Sequence, residues 1–179
     1  MKKLLTIFLW LVLISTANSQ TTIYLVRHAE KVTTDANDKD PLLTKRGFMR
    51  AKALAKKLKK VKLNSVYSSD LQRTKLTVKP IAGKRNLTIK MYDPRQLKDL
   101  ASKIIQENKG QNVLVVGHSN TVLETIEALG GQRPVKSIED QEYDYFFTVI
   151  INANGDVESK VAHYGKPNSD VEGKQNMHK

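Results

Sequence analysis

The sequence lacks cysteine, and its 179 residues include only 18 acidic residues against 30 lysines and arginines. The absence of cysteine excludes a disulfide-built scaffold and a lipoprotein anchor. Aromatic residues make up only 6% of the chain, and none interleaves with the lysines as a base-stacking surface requires. A solvated lysine-rich face therefore explains the net charge of +12 better than a nucleic-acid site. Such a positive field still attracts anionic substrates or anionic cell-surface polymers.

Long apolar runs are also scarce, and the one that stands out lies at the start of the chain. Two lysines precede the apolar core Leu4–Ile14, and small residues follow at Ala17–Ser19. This pattern predicts a signal peptide cleaved before Gln20, and hence a periplasmic or extracellular protein. The core is too short for stable membrane insertion, which takes roughly 20 residues, although an uncleaved anchor is the alternative. The predicted parts are a signal peptide at 1–19, one domain at 20–165 and a flexible carboxy-terminal tail at 166–179.

Strand-like and helix-like segments alternate along the remaining chain. Apolar runs rich in β-branched residues predict four strands: Ile23–Val26, Ser65–Ser69, Leu87–Tyr92 and Val113–Val116. Predicted helices follow them at Thr44–Leu58, from Asp70, at Gln96–Asn108 and at Thr121–Leu129. Two last runs, Tyr143–Ile151 and Val157–Tyr164, flank an Asn-Gly turn and predict a hairpin. This order predicts an α/β fold, a three-layer α/β/α sandwich whose mainly parallel central sheet carries a carboxy-terminal antiparallel hairpin.

The first predicted helix has a clear start and one unusual residue. Thr44 is a suitable N-cap, and apolar residues at spacings of three and four predict a buried face: Phe48, Ala51, Leu54, Ala55 and Leu58. Gly47 lowers helix propensity inside the first turn. We interpret Gly47 as a point of close approach by another backbone, with a tolerated imperfection as the alternative.

Polar side chains follow each of the four predicted strands. Arg27 and His28 end the first, Arg73 lies in the helix turn after the second, Asp93 follows the third and His118 the fourth. Because ligands bind at the carboxyl ends of such strands, we expect these side chains to share one site. Guanidinium and imidazole groups together indicate that the site binds phosphate.

Two of these features have an alternative explanation. Arg73 lies in a first helical turn, where the helix dipole disfavours a cation. A bound anion would explain its position, and so would a surface pair with Asp70. Two histidines with nearby carboxylates also match a zinc site, but two arginines aimed at the same point would repel a cation. The sequence therefore predicts neither a metal nor another cofactor.

Four segments resemble the motifs of a known family, in the same order along the chain. They are Arg27–Glu30, Leu42–Ala51, Ser68–Thr74 and Val116–Ser119. Together they resemble the histidine phosphatase superfamily, also called the phosphoglycerate-mutase-like family, in a short, exported, bacterial-type form. Ala29 replaces the family's glycine, a long insertion between the third and fourth strands is missing, and Ser119 replaces the aspartate of the acidic branch. The last two departures argue against a mutase and against that branch.

The resemblance implies a mechanism for the four basic side chains. His28 would attack phosphorus as a neutral imidazole and form a phosphohistidine, which water then hydrolyses. Arg27 and Arg73 would hold the phosphoryl oxygens, and a protonated His118 would complete the clamp.

A carboxylic acid would protonate the leaving group, and the sequence offers two candidates. Asp93 is the first, because the family often places its acid after this strand; the alternative is a plain loop residue. Glu30 is the second, and its alternative role is to orient Arg27 or Arg73.

The prediction is thus a metal-independent phosphomonoester hydrolase that acts on a small phosphorylated substrate and binds no nucleic acid. One alternative is a non-catalytic exported binder of phosphorylated ligands. The other is a dedicated phosphatase of a surface sugar phosphate or of protein phosphohistidine. The segments expected to set specificity are 31–40 and 133–143, and the sequence indicates neither the substrate nor an oligomeric state.

Overall fold

The structure is a computed structural model that describes residues 20–168. The predicted signal peptide and most of the predicted tail lie outside these residues. The three described tail residues are held by hydrogen bonds: Arg50 Nη2 donates to the carbonyl of Lys166 at 3.0 Å, and Asn168 Nδ2 donates to Asp144 at 2.6 Å. Asn168 is buried, so packed structure continues beyond the predicted boundary at residue 165.

A six-stranded sheet with the order β3-β2-β4-β1-β5-β6 forms the centre of the protein. The strands are β1 Thr21–Arg27, β2 Ser65–Ser69, β3 Ile89–Tyr92, β4 Asn112–Gly117, β5 Tyr145–Ile151 and β6 Val157–His163. The helices are α1 Lys45–Lys57, α2 Gln72–Lys84, α3 Leu97–Glu107 and α4 Val122–Ala128. The first four strands are parallel, and β5 and β6 are antiparallel. The predicted α/β fold is confirmed.

Helices cover both faces of the sheet, which explains why its central strands are continuously apolar. Helices α1 and α2 pack on one face, where Leu54 and Ile81 meet Leu114. Helices α3 and α4 pack on the other, where Ile104 and Ile126 join a second cluster. The carboxyl ends of β1, β2, β3 and β4 consequently meet at one edge between the helical layers, which we call the carboxyl edge. The opposite one is the amino edge.

None of the helices within residues 20–168 has both the length and the apolarity needed to cross a membrane.

Gly47 is where α1 comes closest to the chain after β1. The Thr44 side chain caps the helix by accepting from Gly47 N at 3.0 Å, and a Cβ at Gly47 would collide with the carbonyl oxygen of Glu30. The predicted close approach is therefore confirmed. Replacing Gly47 by alanine should lower the free energy of unfolding by about 1–3 kcal/mol, because a backbone must shift to make room.

The matched control is Gly83→Ala in α2, where nothing lies within 4 Å of the added Cβ. That change should leave stability equal or raise it by up to about 1 kcal/mol, since alanine favours helix. Urea unfolding of both variants checks the pair. Equal losses for the two variants would contradict the steric account.

Candidate active site

Four predicted residues converge on one cavity at the carboxyl edge. Arg27 ends β1, His28 follows it, Arg73 lies in the first turn of α2, and His118 follows β4. All four line a cavity of about 600 Å³. Strands β1 and β4 pair in register, with Arg27 opposite Gly117. This pairing sets the imidazole rings of His28 and His118 with their centroids 5.4 Å apart.

His28 is held in one tautomer. Its Nδ1 lies 2.8 Å from the carbonyl oxygen of Ala29, and because a carbonyl only accepts, Nδ1 carries the hydrogen. The lone pair is therefore on Nε2. Burial, with the charges of Arg27 and Arg73, lowers the pKa of His28 to about 3. The imidazole is consequently neutral and able to act as a nucleophile across the physiological range.

A chain of two hydroxyl groups orients the imidazole ring of His118. Thr74 donates to the carbonyl of Leu71 at 2.8 Å, so its hydroxyl accepts from Ser69 Oγ at 3.0 Å. Ser69 Oγ then accepts from His118 Nε2 at 2.8 Å. Burial and the nearby arginines lower the pKa of His118 to about 4. The protonated state predicted for it is therefore not that of the free protein, although an anion in the cavity would raise this pKa.

Arg27 is fixed by the segment that follows α4. Its Nη1 donates to the carbonyls of Glu139, Asp140 and Glu142 at 2.8, 3.1 and 3.2 Å. The ring of Tyr143 stacks on the guanidinium 4.2 Å away. These contacts engage Nη1 and one face of the guanidinium and fix its orientation. The position of this loop and the position of the guanidinium therefore depend on each other.

Arg73 is held less tightly, by the loop before α1. Its Nη1 lies 3.7 Å from Asp40 Oδ1 and donates to the carbonyl of Lys39 at 3.4 Å. Asp70 pairs with Lys75 instead, at 2.7 Å, so the alternative surface pair of Arg73 with Asp70 does not form. The Nε atoms of Arg27 and Arg73 are both buried and have no hydrogen-bond partner within residues 20–168. Buried donors without partners are costly, so the described residues leave both guanidinium groups incompletely satisfied.

The rim adds more positive charge. Lys31 and Arg95 line the cavity together with Thr33, and the charge of Lys31 contributes to the lowered pKa of His118. Asp140 is the only acidic side chain lining the cavity among the described residues, and it is 95% exposed. The cavity is therefore strongly cationic and suits an anionic ligand.

The structure places Asp93 outside the lining of this cavity, although Pro94 and Arg95 line it. Arg95 lies two residues away and pairs with it, with Nη2 2.7 Å from Oδ2. These hydrogen bonds lower the pKa of Asp93 to about 2. A general acid must hold a proton near neutral pH, and in this arrangement Asp93 does not hold one, so its acid role stays a prediction without structural support.

Glu30 also lies away from the cavity lining, and it orients different arginines from those predicted. Arg50 donates to its carboxylate through Nε at 2.9 Å and Nη2 at 2.8 Å, and Arg46 Nε lies 3.0 Å away. The side chain of Arg50 is only 2% exposed. Glu30 therefore joins the segment after β1 to α1 and makes no ion pair with Arg27 or Arg73 among the described residues.

Sequence reasoning missed the partners that hold the basic residues in place. The sequence indicates Tyr143 only as the end of a segment that sets specificity, because its stacking on Arg27 joins residues 116 positions apart in the chain. Ser69 and Thr74 could have been predicted from the sequence. Hydroxyl groups at a strand end and in the next helical turn can hydrogen-bond and orient a histidine that follows a neighbouring strand. Within residues 20–168 no cluster of three or more histidines or carboxylates could hold a metal ion, and metal independence stays a prediction.

The lowered pKa of His28 predicts a pH-dependent stability. The folded protein keeps this imidazole neutral down to about pH 3, whereas the unfolded chain binds the proton near the ordinary value of 6.5. The unfolded state therefore binds more protons between these values, so acid destabilises the fold. From pH 7 to pH 5 we expect His28 alone to cost about 1–2 kcal/mol of unfolding free energy.

Urea unfolding at both pH values, parent against His28→Gln, measures this contribution. The variant should lose less stability than the parent on acidification. An equal loss in the two proteins would show that His28 takes up a proton normally in the folded state.

Comparison with known families supports this geometry. The family model for the histidine phosphatase superfamily (branch 1) matches residues 23–95, which include Arg27, His28 and Arg73. Phosphoserine phosphatase 1 of Hydrogenobacter thermophilus is 41% identical over 71 residues, covering 37% of this chain and 34% of that protein. The match thus spans about a third of the length of this curated relative.

Solved structures share the fold over most of the chain. The protein histidine phosphatase SixA complexed with tungstate has a TM-score of 0.62 at 19% identity, covering 82% of this chain and 97% of that chain. Phosphoserine phosphatase from Entamoeba histolytica, in complex with 3-phosphoglyceric acid, has a TM-score of 0.60 at 16% identity, covering 82% and 98%. At these identities the likeness establishes the fold.

Proposed function

We propose that this chain, whose residues 23–95 match the family model of the histidine phosphatase superfamily, is a phosphatase that hydrolyses small phosphomonoesters through a phosphohistidine at His28. The observation that carries this proposal is the convergence of His28 and His118 with two arginines on one cavity. Each of these arginines has a buried Nε donor without a partner among residues 20–168. One tetrahedral anion can accept from both.

The chemistry proceeds in two displacements. The lone pair on Nε2 of His28 attacks phosphorus in line, the bond from phosphorus to the leaving oxygen breaks, and a nitrogen–phosphorus bond forms. Water then attacks the phosphohistidine, the nitrogen–phosphorus bond breaks, and inorganic phosphate leaves with His28 neutral again. The hydrogen bond from Nδ1 to Ala29 keeps the nucleophilic nitrogen directed at the substrate in both steps.

Arg27 and Arg73 supply the electrostatic part of catalysis. Their positions are fixed before substrate arrives, by the 139–143 segment and by the loop at 39–40. Fixed donors around the transferred oxygens stabilise the charge of the transition state without reorganisation. The negative phosphoryl group in turn raises the pKa of His118, which then becomes a third cationic donor.

Neither of the two predicted acids lines the cavity, and this favours a narrower class of substrates. Asp93 and Glu30 are both paired elsewhere, and Asp140 is the only acidic side chain that lines the cavity within the described chain. Substrates whose leaving group departs without a strong acid suit such a site. Phosphohistidine on a protein is one such substrate, and it is the second candidate.

The test is turnover of p-nitrophenyl phosphate, whose leaving group needs no acid, by the purified protein with and without a chelator. We expect turnover in both conditions and competitive inhibition by inorganic phosphate. A protein that binds phosphate but never turns over this ester would instead be a non-catalytic binder. Loss of activity in chelator would contradict metal independence.

A further inference from the structure

The amino edge of the sheet is where the chain enters the fold. Strand β1 begins at Thr21, and Thr22 pairs with Asn112 at the start of β4. Asn112 Nδ2 donates to the carbonyl of Lys62 at 3.1 Å. The turn that follows α1 therefore lies beside the first residues of β1, at the opposite end of the sheet from the cavity.

The carboxy-terminal ends of two helices place lysines at this edge. Helices α1 and α2 each follow a parallel strand and run back toward the amino edge, as parallel connections require. Arg85, just after α2, joins their ends: Nη1 donates to the carbonyl of Val61 and Nη2 donates to that of Leu58 at 2.6 Å. Five exposed lysines lie at the ends of these two helices and in the turn that follows α1. We call them the lysine cluster: Lys56, Lys59, Lys60, Lys62 and Lys84.

The lysine cluster carries charge that the protein itself does not neutralise. Residues 45–90 contain fifteen lysines and arginines and a single acid, Asp70. None of the five cluster lysines forms an ion pair with a carboxylate of the described chain. Lysines in a last helical turn favour the helix dipole, but this accounts only for Lys56 and Lys84. Three more lysines in one turn repel one another, so their accumulation indicates an anionic partner.

We propose that the lysine cluster binds the surface of an anionic lipid bilayer. The apolar segment Leu4–Ile14 precedes this edge in the chain. Ile14 is seven residues before Thr21, which limits their separation to about 25 Å. While this segment is attached, during export or in the alternative form that keeps it as an anchor, it and the polybasic surface are within reach of each other, the combination that attracts a protein to anionic headgroups. Nucleic acid is a poorer fit, because no aromatic side chain stands among the cluster lysines to stack on bases.

Membrane binding at the amino edge has a consequence for the cavity. The cavity opens at the carboxyl edge, about 20–25 Å away along the seven residues of β1. The bound protein would hold its cavity away from the bilayer, toward water. If the proposed phosphatase function holds, its substrate is consequently a soluble phosphomonoester or a protein domain, and not a lipid phosphate in the same membrane.

The experiment is co-sedimentation of the chain from Gln20 onward, the form that the predicted cleavage leaves, with vesicles of phosphatidylglycerol and phosphatidylcholine, or of phosphatidylcholine alone. We expect at least tenfold tighter binding to the anionic vesicles at low salt, and a marked loss of this preference at high salt. The variant Lys59→Glu with Lys60→Glu and Lys62→Glu should lose at least tenfold in affinity, since each lysine near the surface contributes roughly fivefold.

The matched control carries the same charge change away from the cluster, as Lys98→Glu with Lys103→Glu and Lys136→Glu. This control should keep most of the preference for anionic vesicles. A second cluster variant, Lys59→Gln with Lys60→Gln and Lys62→Gln, separates lost attraction from added repulsion. Circular dichroism melting shows that each variant is folded, which is expected because every substituted side chain is exposed.

Three results would overturn the proposal. They are equal binding to neutral and anionic vesicles, an anionic preference that the folded cluster variants retain, and tighter binding to duplex DNA than to anionic vesicles at the same salt. Turnover of p-nitrophenyl phosphate in solution is measured in parallel. Vesicle binding without turnover would count against the proposed function alone, and turnover without vesicle binding against the lysine cluster alone.

Discussion

The variant His28→Ala should lower kcat for p-nitrophenyl phosphate by at least about a thousandfold, because it removes the nucleophile of the proposed mechanism. His118 cannot substitute for it, since Ser69 holds its Nε2 at 2.8 Å. Binding of inorganic phosphate should persist, because Arg27 and Arg73 remain. Steady-state kinetics and phosphate titration by calorimetry measure the two effects separately.

The matched control is His163→Ala, which removes an exposed histidine on β6. It should keep parental kcat and KM. A kcat for His28→Ala within about tenfold of the parent's would mean that His28 is not the nucleophile. Loss of phosphate binding together with kcat would show that the variant has disturbed the arginines as well.

The variant Arg50→Ala should destabilise the fold by about 3–5 kcal/mol, the cost of leaving a buried carboxylate without its main partner. Arg50 donates to Glu30 through two nitrogen atoms, and through Nη1 it donates to the carbonyl of Tyr164 at 3.0 Å. It also donates to the carbonyl of Lys166. One side chain thus joins the segment after β1, helix α1 and the end of the described chain. Urea unfolding monitored by circular dichroism measures the loss.

Arg46→Ala is the control, because Arg46 contacts the same carboxylate but its side chain is 45% exposed. We expect a loss of less than about 1 kcal/mol. Glu30→Gln tests the predicted acid role: because Glu30 pairs with Arg50 and Arg46, kcat for a substrate with a poor leaving group should stay near the parental value wherever the variant is folded. A large fall in kcat for that substrate, with kcat for p-nitrophenyl phosphate unchanged, would restore Glu30 as the acid.

The convergence of the four basic residues could be predicted because it depends on backbone topology. Arg27, His28 and His118 sit at the ends of apolar runs, and parallel strands bring such ends to one edge. The continuous apolar pattern of β4 predicts a central strand buried on both faces, and the strand lies between β2 and β1. The roles of the two acids could not be predicted in the same way, because they depend on side-chain partners.

Asp93 and Glu30 show two forms of that difficulty. The position of Asp93 after β3 predicts an acid at the site, but Arg95, two residues away on the exposed surface, pairs with its carboxylate. Glu30 pairs with Arg50 on another element, and the helix pattern hid this partner. Phe48 was expected on the buried face of α1 but is 42% exposed, whereas Arg50 is buried. An arginine at helical spacing from Gly47 and Leu54 was the signal that could have revealed the pair.

The most direct test of the account is the position of the phosphoryl group on the enzyme during turnover. The parent protein is mixed with p-nitrophenyl phosphate, quenched in alkali, where phosphohistidine survives, and mapped by peptide mass spectrometry. The account predicts a phosphoryl group on the peptide that contains His28, at its imidazole. Turnover with that peptide unmodified, or a phosphoryl group on any other residue, would contradict it.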